Sequence, residues 1–249
     1  MNRIVCIIPA RLGSYRFRDK PFVDICGKSM LEHVYKRAAL CKMLDEVYVA
    51  TPNQEIVDHV EKFGGKAIMT SDDVRRASDR VAQAAKKIEP ADIIVNLQGD
   101  EPLVFPEMIE MAIQPLLDDP SLSCVNLAKR VSYEEASNIH EVKVVCDEQN
   151  NAMYFSREAI PSKFMGDKEI EYLIEVCVFP FTRSSLEEFA RLPSTKNEII
   201  ESIDMLRFLE HGHKIRIVET EYETYSVDVP SDLDKVIQVM EKDELRKSY

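Results

Sequence analysis

The stretch IIPARLGSYRFRDKPF, residues 7–22, runs from a β-rich apolar segment straight into a loop dense with positive charge. A short apolar run that stops at a polar loop reads as a buried strand ending at a sheet edge. The preceding residues extend this strand to RIVCII, residues 3–8. Beyond the loop, helical spacing from Ser29 to Cys41 leads to a second strand signal, EVYVA at 46–50, and a helix over 53–62. KAIMT at 66–70 repeats the strand signal, ASDRVAQAAKKI at 77–88 has helical spacing, and ADIIVNLQGDEP at 91–102 supplies another apolar run that ends in a polar loop. Short strands alternating with helices predict an α/β fold, a doubly wound and mostly parallel sheet with right-handed crossovers. Ligands of such sheets bind at the carboxyl ends of the strands. The polar loops around residues 10–20, 71–80 and 98–102 are therefore expected along one edge.

The second half is less regular. CVNLAKRV at 124–131 and HEVKVVCDEQNNAMYFS at 140–156 hold β-prone runs, the latter with a turn at Asp147 to Asn151. Helices are expected over 186–192 and 198–210, and strands at IRIVE, 215–219, and YSVDV, 225–229. SDLDKVIQVMEKDELRK, 231–247, reads as a final helix with Ser231 as its N-cap. One domain over 1–249 is expected, with a smaller inserted region at 130–182 and the main sheet resumed by the C-terminal segments.

Acidic residues number 44 against 32 basic, a net charge of −12. This opposes the broad positive face a general nucleic-acid binder needs. No apolar run reaches the roughly 18 residues of a membrane span, and MNRIVCIIPARLGS lacks a signal-peptide pattern. A cytoplasmic protein without membrane insertion is expected. The six cysteines form no CxxC pair, and neither HExxH nor GxSxG occurs. His211 and His213 flank Gly212 at a helix stop, which reads as a C-cap.

Arg11, Arg16, Arg18 and Lys20 surround Gly13 in the first polar loop. Such a loop either cradles phosphates or is simply solvated, and it matches neither the dinucleotide fingerprint nor the P-loop. Asp100 ends IIVNLQGD, with Gly99 permitting a close turn, and Asp228 follows the run YSV. Each aspartate alone reads equally as a cap or turn residue; folded together, the two supply hard oxygen ligands for Mg²⁺. In SDDVRRASDR, 71–80, Arg75, Arg76 and Arg80 suit anion contacts and Asp79 a ligand hydroxyl, against the alternative of a surface loop capped by Ser78. Gln98 suits a base or sugar, or a buried amide. Lys143 and Arg157 suit a carboxylated acceptor, or ordinary surface charge. Glu198 opens a helix, where a first-turn charge is favoured over an acceptor contact.

Together IIPARLGSYRFRDKPF, ASDR, VNLQGDEPL, EVKVVCD, NAMYFSREAIP, IDMLRFLEHG and VDVPSDL resemble the bacterial 3-deoxy-manno-octulosonate (Kdo) cytidylyltransferases across nearly the whole chain. The resemblance implies a nucleotidyltransferase fold whose inserted region, 130–182, carries the acceptor site and a homodimer interface. It implies CTP-dependent transfer of CMP to a 2-keto-3-deoxy sugar acid, with release of pyrophosphate, as in lipopolysaccharide biosynthesis. Arg11, Lys20, Asp100 and Asp228 would carry catalysis, the two aspartates holding Mg²⁺. Ala10, Gly13, Ser14, Arg80 and Gln98 would join Arg11 and Lys20 around the nucleotide. Arg75, Arg76, Asp79, Lys143, Arg157, Glu175 and Glu198 would face the acceptor.

The family's RLGSTRLPGKPL reads RLGSYRFRDKPF here, its SGTDR reads RASDR, and its YKHIGIYAYR region reads LIEVCVFPF, with Glu175 at the place of the histidine. These departures predict an altered sugar acid, or another small acid such as a phosphonate, as the acceptor. A nucleotidyltransferase for another base and a weakly catalytic nucleotide-binding protein are the alternatives.

Overall fold

The computed structural model describes residues 2–13, 17–74, 76–164 and 170–249. They divide into two compact units, Met1–Glu110 with Glu223–Tyr249, and Met111–Tyr222.

The first unit opens with β1 (Ile4–Pro9), whose six residues are all buried. A continuous apolar strand covered on both faces belongs inside a parallel sheet. After a 3-10 turn at Lys20–Phe22 come a two-residue hairpin, β2 (Asp24–Ile25) and β3 (Lys28–Ser29), then α1 (Met30–Ala38), β4 (Glu46–Thr51), α2 (Gln54–Lys62), β5 (Ala67–Met69), α3 (Ala77–Ala85), β6 (Ile93–Leu97) and the start of α4 (Pro106–Asp118), within which the boundary of the unit falls. The hairpin turn places Cys26 and Gly27 at φ 52° and 89°, as a type I′ turn requires, and Asp24 Oδ1 accepts from Gly27 N–H. Ser29 caps α1 by accepting from the N–H of Glu32.

Parallel pairing orders the sheet β6-β1-β4-β5. The chain steps from β1 out to β4 and β5, then returns to the other side of β1 as β6. Strand order therefore reverses between β1 and β6, and the crevice at their carboxyl ends is where open α/β sheets bind ligands. The loops that begin at residues 10 and 98 leave these two strands at that crevice. Gly99 lies so close to β1 that a Cβ there would sit 3.1 Å from the carbonyl oxygen of Pro9.

The second unit holds β7 (Val125–Val131), α5 (Tyr133–Ala136), β8 (Lys143–Cys146), β9 (Ala152–Ser156), β10 (Tyr172–Val176), β11 (Val178–Thr182), α6 (Arg183–Phe189), α7 (Lys196–Glu201), α8 (Asp204–Glu210) and β12 (Arg216–Thr220). Its sheet runs β12-β7-β10-β8-β9, antiparallel except between β12 and β7. The β8–β9 turn lies at Asp147–Asn151, where Asp147 Oδ1 accepts from the N–H groups of Gln149 and Asn151. The chain then re-enters the first unit, whose last α-helix, α9 (Asp232–Lys242), is followed by a 3-10 turn at Glu244–Ser248. Among the described residues no helix is long and apolar enough to cross a membrane.

Local reading fails at four places. The helix expected at 198–210 is two, α7 and α8, because Ser202 adopts φ 56°. Ser78 is no cap: it is buried inside the first turn of α3, where its Oγ accepts from Asn96 Nδ2 at 3.2 Å. YSVDV is not a strand, and the N–H of Val227 instead donates to the carbonyl of Asp100 at 3.0 Å. Ser231 makes no side-chain cap; the carboxylate of Asp232 takes the N–H groups of Asp228 and Val229 at 2.8 and 2.9 Å.

Candidate active site

Three distant segments of the first unit meet at the crevice between β1 and β6. Lys20 starts the 3-10 turn, Asp100 lies just beyond β6, and Asp228 just before α9. Lys20 Nζ donates to Asp100 Oδ2 at 2.8 Å and lies 3.9 Å from Asp228 Oδ1. All three side chains are largely covered, with 13% of Lys20, 27% of Asp100 and 23% of Asp228 exposed. Two partly desolvated carboxylates repel each other unless a cation lies within reach of both, and Lys20 meets that condition. The backbone bond from Val227 to Asp100 sets the two acidic segments side by side. Asp232 then fixes the turn that carries Asp228.

The phosphate-loop candidates begin on the same edge. The N–H of Ala10 donates to the carbonyl of Ala50 and that of Leu12 to Asn53 Oδ1, both at 2.9 Å. The loop is thus tied to the end of β4 before it turns at Gly13, φ 79°. Arg11 is exposed beyond that tie. Ser14 and Arg75, both expected to contact ligand, lie outside the described residues, as does Arg16.

Gln98 Nε2 donates to Asn96 Oδ1 at 3.1 Å, so a chain of amides runs from the site edge back to Ser78. Arg80 is buried, and its guanidinium donates to Thr70 Oγ1 at 2.6 Å and to the carbonyls of Ser71 and Val74. Burial holds its pKa below the usual arginine value, and the charge of Arg11 adds to that effect. Arg80 thereby braces the loop at 70–74, while Arg76 and Asp79 are half-buried at the start of α3.

The remaining candidates belong to the second unit, where most are already engaged. The ammonium of Lys143, a fully buried residue, donates to the carbonyls of Asn138, Glu141 and Arg157, which satisfies all three of its donors. Arg157 bonds the carbonyls of Ile139, His140, Glu201 and Ser202, stapling two loops. Glu198 forms a capping box with Thr195 and a two-point ion pair with Arg207, at 2.6 and 3.0 Å.

Glu175 differs from these. Part of the residue reaches solvent, but Oε2 is covered and has no hydrogen-bond partner among the described residues. Burial, reinforced by the charge of Asp204 and opposed by Arg157, pushes its pKa up to about 8. The folded protein therefore holds a proton here that the unfolded chain gives up above its ordinary pKa of 4.5. Stability should fall as pH rises from about 4.5 to about 8, by up to roughly 1.4 kcal/mol per unit. Glu175→Gln should match the wild-type melting temperature at pH 5 and exceed it at pH 9. Parallel melting curves across that range would contradict the buried, protonated carboxyl.

Asn53 and Asp232 were not legible as residues that hold the site's segments in place. Both sit at the start of a helix, and only the folded chain shows that Asn53 accepts from Leu12, 41 residues away, and Asp232 from Asp228 and Val229.

Among the described residues no group of three or more His, Cys, Asp and Glu side chains converges as a metal centre. Asp100 and Asp228 still suit Mg²⁺, which takes one or two carboxylates and completes its shell with substrate phosphates and water. Their oxygens already converge on one cation, the ammonium of Lys20.

A model of the cytidylyltransferase family matches residues 5–215. The 3-deoxy-manno-octulosonate cytidylyltransferase of Syntrophus aciditrophicus is 41% identical over 243 residues, covering 96% of this chain and 98% of that protein. A solved CMP:2-keto-3-deoxy-manno-octonic acid synthetase complexed with CTP superposes with a TM-score of 0.90 at 39% identity, covering 96% of this chain and 99% of the other. The 4-diphosphocytidyl-2C-methyl-D-erythritol synthase of Anaerococcus prevotii shares the fold alone, at 17% identity, a TM-score of 0.64 and 96% coverage of both chains. With its parallel sheet, its switch-point crevice and these likenesses along nearly its full length, the chain belongs to the cytidylyltransferase family and, within it, to the 3-deoxy-manno-octulosonate cytidylyltransferases.

Proposed function

We propose that this protein catalyses Mg²⁺-dependent transfer of CMP from CTP to the anomeric hydroxyl of a Kdo-like 2-keto-3-deoxy sugar acid, releasing pyrophosphate. The observation that carries this reading is the convergence of Lys20, Asp100 and Asp228 at the carboxyl ends of β1 and β6. Arg11 and the backbone around Gly13 would receive the triphosphate, while Lys20 offsets charge that builds on it as the bond to the leaving pyrophosphate lengthens. Asp100 and Asp228 would hold Mg²⁺, which supplies a hard cation to orient the phosphates and neutralise their charge. Gln98 lies two residues before Asp100, suited to the nucleoside. Catalysis by these residues is positioning and electrostatics, with no covalent protein intermediate.

On the acceptor side, Glu175 presents a protonated carboxyl where the family pattern has histidine, which supports an acceptor modified relative to Kdo. A cytoplasmic homodimer completes the proposal. The test is pyrophosphate release with CTP and Mg²⁺ across Kdo, amino-substituted Kdo, other 2-keto sugar acids and small phosphonates, with product masses read in parallel. A CMP adduct of a sugar acid is expected. Clear preference for Kdo would refute the altered acceptor, and CTP binding without product from any acceptor would refute the transferase reading.

A further inference from the structure

We propose that Tyr249, acting through His33 and Arg37, is a positioning residue for the Lys20–Asp100–Asp228 site, and that protonation of His33 releases it. The proposal rests on the assignment of cytidylyl transfer to that site.

His33 and Arg37 lie one turn apart on α1, and both are fully buried among Met30, Leu31, Val34 and Ala38. Two polar groups on so apolar a face must be matched by partners. Arg37 Nε donates to Tyr249 Oη at 3.0 Å, and the guanidinium also meets Asp243, the carbonyl of Val104 and Met240 Sδ. His33 Nε2 bonds the carbonyl of Ile25 at 2.7 Å, and Nδ1 lies 2.9 Å from Tyr249 Oη.

With His33 neutral, the chemistry of these atoms sets the direction of each bond. A guanidinium only donates and a carbonyl only accepts. The proton of His33 is therefore on Nε2, and Tyr249 accepts from Arg37 and donates to Nδ1. The result is one directed chain, Arg37 to Tyr249 to His33 to Ile25. A second proton on His33 would land on Nδ1 and turn it from acceptor to donor, so the hydroxyl hydrogen of Tyr249 would lose its acceptor and the directed chain would be interrupted at its middle.

The surroundings already oppose that proton. Burial holds the pKa of His33 below its ordinary 6.5, and the charges of Arg37 and Lys28 add to the effect. The carbonyl of Ile25 and Glu32, on α1, act the other way. From the segment after α9, Asp243 faces Arg37, and Arg246 lies near Tyr249. Lys28 and Arg37 each lie over the Tyr249 ring, at 5.8 and 5.7 Å.

The chain ends on the pieces that carry the site. Ile25, Met30, Leu103, Val227, Val236 and Met240 form one apolar cluster, with Phe17 against it. Phe17 and Ile25 flank Lys20, Leu103 follows Asp100, and Val227 precedes Asp228. Ile25, Val104 and Met240, the points that His33 and Arg37 hold, lie in this cluster or next to it. Undocking Tyr249 removes the partner that sets His33 and Arg37 against all three segments.

Tyr249→Phe keeps the ring and deletes only the hydroxyl. The His33 imidazole, assigned with His33→Asn, is titrated by NMR in wild type and variant, and CTP affinity is measured by calorimetry from pH 5.5 to 8.5. The His33 midpoint is expected to rise in Tyr249→Phe, with CTP binding weakened three- to tenfold near neutral pH and its acid limb moved upward by the same amount. A purely structural role would lower thermal stability and leave that limb in place. An unshifted midpoint or an unmoved acid limb overturns the proposal. Absence of CTP binding by the wild type overturns the underlying assignment instead.

Discussion

Asp100→Asn is expected to reduce turnover by on the order of 10²- to 10³-fold while leaving the fold intact. The substitution keeps shape and hydrogen bonding but removes one of the two charges near Lys20 Nζ. The backbone carbonyl of residue 100 still accepts from the N–H of Val227, so the two acidic segments stay together. An electrostatic contribution to the transition state of about 3–4 kcal/mol corresponds to that loss in rate. Initial rates of pyrophosphate release across a Mg²⁺ titration, with a melting curve alongside, provide the measurement. Wild-type turnover with unchanged Mg²⁺ dependence would remove Asp100 from the mechanism.

Glu198→Gln is expected to act through stability. Its partner Arg207 is 3% exposed and Glu198 not at all, so the substitution takes one carboxylate charge out of a buried two-point pair. Breaking such a pair costs about 3–5 kcal/mol, a fall in melting temperature on the order of 10 °C for a chain of this size. The same carboxylate accepts from the N–H of Thr195 and so closes the capping box of α7. Melting temperature and the KM for the acceptor, measured together, separate the two roles considered for this residue. A stable variant with a raised KM would restore Glu198 to the acceptor site.

Lys20 and Asp100 were legible because strand signals put IIPARLGS and IIVNLQGD at carboxyl ends of one sheet, where ligand loops collect, whereas Asp228 lies in YSVDV, an expected strand that does not form. Lys143, Arg157 and Arg80 were legible as charged residues but not in their partners. Each satisfies backbone carbonyls brought in by loops elsewhere, and a carbonyl leaves no mark in a sequence pattern. Ser78 and Ser231 failed for a related reason. A serine ahead of an apolar run is a good cap on local grounds, yet Asn96 takes the Ser78 hydroxyl and Asp232 satisfies the N–H groups before α9.

Sequence by itself determined the α/β class, the strand–loop alternation of the first half and the family to which the chain belongs. These follow from apolar period and turn chemistry within a few residues, and from motifs read in order along the chain. The tertiary structure alone decided which charges meet. Lys20 and Asp100 are 80 residues apart, and Arg37 and Tyr249 are 212 apart. Contacts at that range depend on how helices and strands pack, because a side chain's partner is set by the fold's return path and not by its own neighbours. The same holds for Glu175: an ordinary glutamate in the sequence, its pKa is raised by burial and by the charge of Asp204, both of which the folded second unit supplies.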